Sequence, residues 1–313
     1  MDHAEDELTG ALASALGADR ITDLRRLSGG ASRETWRFRA DGRDLVVQRQ
    51  RAGDERDMMV EAAVVGAAGE AGVRVPQLLT AERLDDGTSF MVLEAIEGET
   101  IARKIQRDPE FEVARDVVVA QFGEALARIH AMPADAVDGL ETADPVAAYT
   151  ERLDELGQPH PVLELVRRWL IDHRPAAHDP AIVHGDFRLG NMIIGHDGLN
   201  AVIDWELAHL ADPMEDLGWL CVKAWRFGQP PPVAGLGERD QLFEAYERAS
   251  GRAIEPDVVF WWEVIGTWKW AIMCIGQADA HLSGTSRSHE LAAIGRRVCE
   301  NEHDLLVMLE DRW

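Results

Sequence analysis

Cysteine is nearly missing from this chain: Cys221, Cys274 and Cys299 are all there are in 313 residues. They lie far apart and none shows C-x-x-C spacing. Neither a disulfide framework nor a zinc site is expected, and a reducing cytoplasm suits the chain. Basic charge is scarce too. Lys and Arg total 32 against 56 Asp and Glu, a formal net charge of −24. That balance argues against nucleic-acid and anionic-membrane partners. It still permits an anionic nucleotide, provided metal ions and a few local cations neutralise the phosphates. No apolar run approaches the roughly 18 residues that a membrane span needs. The acidic start MDHAEDELTG has no basic region and no apolar core, so no secretory signal is expected.

Apolar residues make up 46 % of the chain, ample for a folded core, and the length suggests two lobes or two domains. Leu8, Leu12 and Leu16 recur at helical spacing before Gly17. The segments ITDLRRL, ETWRFRA and DLVVQRQ then read as three antiparallel strands, the last two joined by an Asp-Gly hairpin turn in ADGR. Residues 58–71 are Ala-rich and read as a helix ending at Gly72. SFMVLEAIEG reads as a strand paired with the segment before DDGT. Beyond Gly98 the pattern turns helical, with a small strand pair around GHDG and helices expected over 238–250, 257–281 and 287–311.

Within the strand-like stretch IVHGDFRLGNMIIGHDGLNAVIDWE, residues 182–206, sit His184, Asp186, Asn191 and Asp204. Buried polar groups are costly unless they are hydrogen-bonded or hold a ligand. His184-Gly-Asp186 followed by Asn191 has the H-x-D-x-x-x-x-N spacing of a kinase catalytic loop. In that reading Asp186 accepts the proton of an attacking hydroxyl. Asn191 and Asp204 supply oxygen to Mg²⁺, which commonly takes few ligands from protein and the rest from phosphates and water. Singly, each residue is unremarkable, since Asp and Asn beside a turn are ordinary turn formers. The joint pattern, with Asp204 following the second strand of the hairpin, is much more specific.

VHGDFRLGN and VIDWE resemble the signature blocks of the aminoglycoside phosphotransferase and choline-kinase-like superfamily. The resemblance runs from LSGGASRETWRF to the Trp-rich C-terminal helices. The chain looks most similar to kinase-like domains that in some proteins are fused to acyl-CoA dehydrogenases. The resemblance implies an α+β, bilobal protein-kinase-like fold: residues 1–97 as a small antiparallel-sheet lobe ending at the hinge, and residues 98–313 as a larger helical lobe with catalytic loop, metal site and acceptor pocket. It implies ATP and Mg²⁺ as cofactors and a small hydroxylated substrate. Gly29, Gly30, Ala31 and Ser32 fall where a phosphate-covering loop belongs, and small residues there let backbone amides approach phosphates. Backbone groups near Glu94 and Ile96 match an adenine-binding hinge. Arg188, inside the catalytic loop, is placed to reach the γ-phosphate or an anionic substrate. Asp216 resembles a buried Asp that holds the catalytic loop.

Two departures from the kinase pattern stand out. The third strand has Val46-Val47-Gln48-Arg49 where the pattern has V-A-I-K. Strand alternation favours Arg49 as the phosphate-facing cation, with Glu61 as its ion-pair partner, but Gln48 stays open as the occupant of that position. After Asp204 the chain passes directly toward a helix, with Trp205 in place of Phe and no A-P-E. So short a segment offers no platform for a peptide, which favours a small acceptor. Trp261, Trp262, Trp268 and Trp270 serve either the core or an aromatic wall for that acceptor. The expected activity is transfer of the γ-phosphate of ATP to a small-molecule hydroxyl. The alternatives are a nucleotide-binding module without transfer activity and a metal-dependent hydrolase.

Overall fold

Leu8 and Leu12 need an apolar surface, and the first strands provide it. In the computed structural model, which describes residues 3–27, 33–51, 56–84, 87–310 and 312, α1 (His3–Leu16) ends at Gly17 with φ 60°. Strands β1 (Ile21–Arg26), β2 (Arg33–Ala40) and β3 (Arg43–Gln50) follow. Asp41 and Gly42 between β2 and β3 have φ of 49° and 85°, the paired positive values of a turn that matches strand twist. Helix α2 (Met58–Glu70) starts where Asp57 accepts a hydrogen bond from the Met59 amide over 2.9 Å. Strands β4 (Leu78–Arg83) and β5 (Ser89–Glu94) complete an antiparallel sheet of order β1-β2-β3-β5-β4.

Strand alternation gives the sheet two different faces. Phe38, Leu45, Val47, Phe90 and Val92 pack with Leu8 and Leu12 of α1. Met91 and Leu93 point the other way, into the cluster that holds Met58, Ala62 and Val65 of α2 and runs on into the large lobe. Phe38 is fully buried, so truncating it to Ala should cost about 3–5 kcal/mol.

The chain leaves β5 through Ala95 to Gly98. Gly98 has φ 146°, and a Cβ there would stand 2.6 Å from Ile193 Cγ2; the close approach lets Glu99 and Ile194 exchange backbone hydrogen bonds of 2.9 and 3.0 Å. The large lobe continues with α3 (Ala102–Arg107), α4 (Glu112–Ile129), α5 (Pro145–Leu156) and α6 (Pro161–Asp172). Then come β6 (Ala181–Val183), the hairpin β7 (Met192–Gly195) and β8 (Gly198–Val202), β9 (His209–Ala211), and α7 (Met214–Cys221). Helices α8 (Arg239–Ser250), α9 (Pro256–Leu282), α10 (His289–Ile294) and α11 (Arg297–Met308) close the fold. The architecture is an α+β, bilobal protein-kinase-like fold.

Three expectations need correction. The span 287–311 is two helices, because a Cβ on Gly295 would sit 2.8 Å from Ala278 of α9 and the chain turns there. The passage from Asp204 to α7 contains β9, which pairs with β6. Helix α9, 27 residues long, is long and apolar enough to cross a membrane, contrary to the sequence reading, but 83 % of its apolar window is buried inside the fold. It packs against α5, α6, α7, α10 and α11 as the central helix of the lobe. Its two buried charges are paired there: Glu263 with Arg226 and Arg239, Lys269 with Glu215.

Candidate active site

Strand β6 delivers the loop that carries His184, Asp186 and Asn191. Gly185 has φ 77°, and a Cβ on it would meet the Leu207 carbonyl, so the turn requires glycine. Asp216 of α7 fixes the loop from below: its Oδ2 accepts from the His184 amide over 2.8 Å and its Oδ1 from the Gly185 amide over 3.0 Å. His130 Nε2 lies 3.2 Å from Asp216 Oδ2 and its Nδ1 3.0 Å from the Tyr246 hydroxyl. Asp216 is fully buried; burial raises its pKa, but His130, His184 and the amides outweigh that and hold it below the usual carboxylate range. His184 is a packing residue. Its Nδ1 accepts from the Asp186 amide over 3.2 Å and its Nε2 lies 3.1 Å from the Ile203 carbonyl, and burial depresses its pKa.

Asp186 then sits among three donors. Arg188 Nε lies 3.0 Å from both carboxylate oxygens. Trp219 Nε1 donates to Oδ1 over 2.8 Å, and Asn191 Nδ2 donates to Oδ2 over 2.6 Å and to the Asp186 carbonyl over 3.0 Å. Asn191 therefore spends its nitrogen on Asp186, and Oδ1 is the atom left for a ligand. The β7–β8 hairpin brings Asp204 back to the same place, with the Ile203 amide donating to the Asn191 carbonyl over 2.9 Å.

Asp204 has φ 68°, a left-handed conformation that Asp tolerates better than most residues. Burial, then the charges of Glu206 and Asp186, push its pKa up to about 6. Glu206 Oε2 is buried with no hydrogen-bond donor among the described residues. Glu206 Oε1 is paired with Arg56 Nη1 at 3.0 Å; Asp204, with its pKa raised, is the carboxylate here that suits a cation. Asn191 Oδ1 and the Asp204 carboxylate are hard oxygen donors of the kind Mg²⁺ takes. Among the described residues no group of three or more His, Cys, Asp or Glu side chains is assembled for a metal.

The small lobe contributes Glu61 of α2, 5 % exposed. Burial pushes its pKa up to about 7 against the pull of Arg33. Its partner is Arg33 Nη2 at 3.0 Å, which corrects the expectation that Glu61 pairs with Arg49. In the β3–β5 register Arg49 stands opposite Phe90 and Gln48 opposite Met91. Opposed residues share a face, so Arg49 projects from the α1 side of the sheet and Gln48 from the α2 side. The alternation argument fails because the buried Val47 faces α1 and not the cleft. Gly29, Gly30, Ala31 and Ser32 lie outside the described residues. At the hinge, the Glu94 amide donates to the Gln77 carbonyl over 2.9 Å and the Ala95 amide to the Asp44 carbonyl over 3.2 Å, while the Ile96 amide makes no hydrogen bond among the described residues.

Beside Asp186 stands an aromatic cluster. The rings of Trp219 and Trp225 are 5.1 Å apart, and those of Trp225 and Trp270 4.9 Å. The Arg188 guanidinium lies 5.1 Å from the Trp225 ring. Lys269 Nζ lies 5.0 Å from the Trp219 ring and 3.4 Å from Glu215 Oε1. Trp268 is core, its Nε1 donating to the Leu163 carbonyl over 2.9 Å, and so is Trp261, donating to the Leu170 carbonyl over 3.1 Å. The sequence reading did not single out Arg33, Glu206, Trp219 or Lys269 for the site. Only Arg33 carried a signal, its place directly after the glycine-rich stretch. A groove of about 550 Å³ between α5 and α6, lined by Asp144, Glu155, Arg167 and Arg174 among others, shares none of these groups.

Residues 23–253 match the model of the Phosphotransferase enzyme family. The chain is 27 % identical over 238 residues to Acyl-CoA dehydrogenase family member 10 of Mus musculus, covering 70 % of this chain and 22 % of that protein. It thus spans under a third of the length of the acyl-CoA dehydrogenase family relatives it matches first. Among solved structures, a protein from Ralstonia eutropha assigned as an aminoglycoside phosphotransferase superposes with a TM-score of 0.77 at 19 % identity, over 98 % of both chains. Spectinomycin phosphotransferase, in complex with ADP and spectinomycin, gives 0.68 at 11 % identity over 97 % of this chain and 98 % of that one.

Proposed function

The chain belongs to the phosphotransferase enzyme family, and we propose that it transfers the γ-phosphate of ATP, with Mg²⁺, to a hydroxyl of a small molecule. Residues 1–97 would bind the nucleotide, and residues 98–313 would carry the catalytic loop, the metal ligands and the acceptor site. The observation that carries this reading is the convergence on Asp186: three donors fix its carboxylate while Asn191 Oδ1 and Asp204 remain for a cation beside it.

The roles follow from chemistry. The Ile96 amide, which makes no hydrogen bond among the described residues, would donate to adenine. Asn191 Oδ1 and Asp204 would hold Mg²⁺. Bound there, the ion supplies charge neutralisation on the phosphates. Asp186 orients the acceptor hydroxyl and takes its proton as the new O–P bond forms and the bond to the β–γ bridging oxygen breaks, releasing ADP. Arg188 lends its guanidinium, held through Nε, to the charge on the transferred group. Only Ile203 to Pro213 separate β8 from α7 apart from three-residue β9, which supports a small acceptor over a peptide. Spectinomycin phosphotransferase, crystallised with ADP and spectinomycin, supports a nucleotide and a small substrate for this fold.

The test is calorimetric titration with ATP, with and without Mg²⁺, followed by a panel of hydroxylated metabolites screened for acceptor-dependent ADP release. Absence of nucleotide binding under both conditions would sink the proposal.

A further inference from the structure

The cation that meets Glu61 comes from the second strand and not from the third. Arg33 opens β2 and stands opposite Gln50 in the β2–β3 register. It therefore shares a face with Gln50 and Gln48, the α2 side of the sheet. Arg33 is 4 % exposed, with Nη2 3.0 Å from Glu61 Oε2 and Nε 4.0 Å from Glu206 Oε2. Glu61 belongs to α2 of the small lobe. Glu206 lies two residues beyond Asp204 in the large lobe. One guanidinium thus spans the cleft between the helix and the segment that carries the metal carboxylate.

The third strand does not offer this charge. Gln48, on the cleft-facing side, is neutral, and Arg49 projects with Val47 and Phe90 toward α1. A guanidinium buried this far needs acceptors for its planar fork, and its rigid geometry suits carboxylate and phosphate oxygens alike. The surrounding charge also calls for it: Arg188 is engaged with Asp186 and Arg56 with Glu206, Asp204 has no such partner among the described residues, and a polyphosphate bound among these carboxylates needs a fixed cation.

We propose that Arg33 is the side chain that contacts the phosphates of the bound nucleotide, with Glu61 holding its guanidinium through Nη2. This is the duty that kinase folds usually give to a third-strand lysine. The inference rests on the phosphotransferase reading above and deepens it.

Calorimetry with Mg-ATP, Mg-ADP and adenosine tests it on wild type, Arg33→Gln, Arg49→Gln and the double variant Arg33→Gln/Glu61→Gln. Loss of one charge-assisted hydrogen bond to phosphate weakens binding about ten- to hundredfold. Arg33→Gln should lose that much affinity for Mg-ATP and Mg-ADP, keep its affinity for adenosine, and leave Arg49→Gln indistinguishable from wild type. The double variant removes both members of the buried pair and leaves neither charge stranded. If Arg33→Gln does not fold, the double variant carries the same comparison. Wild-type affinity for Mg-ATP in these Arg33 variants overturns the inference. So does an equal loss for adenosine, which would mark Arg33 as purely structural, and so does a larger loss in Arg49→Gln. Wild-type protein that binds no Mg-ATP would instead fail the phosphotransferase reading itself.

Discussion

Trp219 Nε1 donates to Oδ1 of Asp186 across 2.8 Å. Trp219 lies on α7, the same helix that supplies Asp216 to the amides of His184 and Gly185. One helix therefore positions both the backbone of the loop that holds Asp186 and the Asp186 carboxylate. The helix is itself anchored, since Glu215 meets Lys269 of α9 at 3.4 Å and His209 at 3.3 Å. Each group that touches Asp186 is thus held by a second contact, and a carboxylate so fixed loses little freedom when it acts.

Replacing Trp219 by Phe tests this arrangement. Phe keeps an aromatic ring near Lys269 and removes only the N–H. A hydrogen bond to a charged group contributes about 1.5–3 kcal/mol, and part of it will be recovered by water. The expected result is a fall in kcat of about tenfold with KM for ATP unchanged. A matching rise in KM for ATP, with kcat intact, would show that Trp219 serves the nucleotide and not Asp186.

Asp204→Asn should separate metal binding from folding. The carboxylate is buried beside Glu206 and Asp186, so removing its charge relieves repulsion in the metal-free protein. Thermal denaturation without Mg²⁺ should show a Tm no lower than that of wild type. With Mg²⁺ and ATP, wild type should gain stability by mass action and the variant should not. A variant that retains Mg²⁺-dependent stabilisation by ATP would exclude Asp204 as the principal ligand.

The His209–Glu215 contact predicts a pH dependence of stability. Burial pulls the His209 pKa down, but the hydrogen bond and charge of Glu215, with the Leu207 carbonyl, outweigh it and leave the value above 6.5. The folded protein therefore holds this proton more tightly than the unfolded chain. The stabilisation is complete below about 6.5 and is lost as pH rises through the raised folded value. His209→Gln should cost on the order of 1 kcal/mol near pH 6 and little near pH 9. Urea midpoints of both proteins across that range check it. A gap that widens with rising pH would reverse the assigned sign.

Much of this site is written locally in the sequence; of the long-range contacts, the resemblance gives the Asp216 anchor, but neither the Arg33–Glu61 pair nor Trp219. Asp186 and Asn191 are five residues apart on one tight turn, and Asp204 follows the second strand of a hairpin that GHDG announces, so spacing alone brings them into view. The Asp41-Gly42 turn and the α1 periodicity are equally local. Arg33 depends on two strand registers and on where α2 docks, and none of these is a short-range property. Alternation alone favours Arg49, because it gives two faces but not which face meets the cleft; the packing of Val47 against Leu8 and Leu12 decides that. Trp219 reaches Asp186 from 33 residues away. β6 and β9, of three residues each, are too short to show any period.

Asp186→Asn probes the transfer step. The substitution keeps the shape and one oxygen but removes the charge and most of the basicity. Trp219 donates to Oδ1 and Asn191 to Oδ2, so only one of them would still find an oxygen, and Arg188 Nε would lose a carboxylate partner. Because the proposed metal contacts belong to Asn191 Oδ1 and Asp204, nucleotide affinity should change little, and calorimetry with Mg-ATP should give similar values for wild type and variant. A general base contributes about 10²–10⁴-fold to rate, so kcat with an identified acceptor should fall by that factor. A folded variant that no longer binds Mg-ATP would instead make Asp186 part of the nucleotide or metal site, and the division of labour between Asp186 and Asp204 would have to be redrawn.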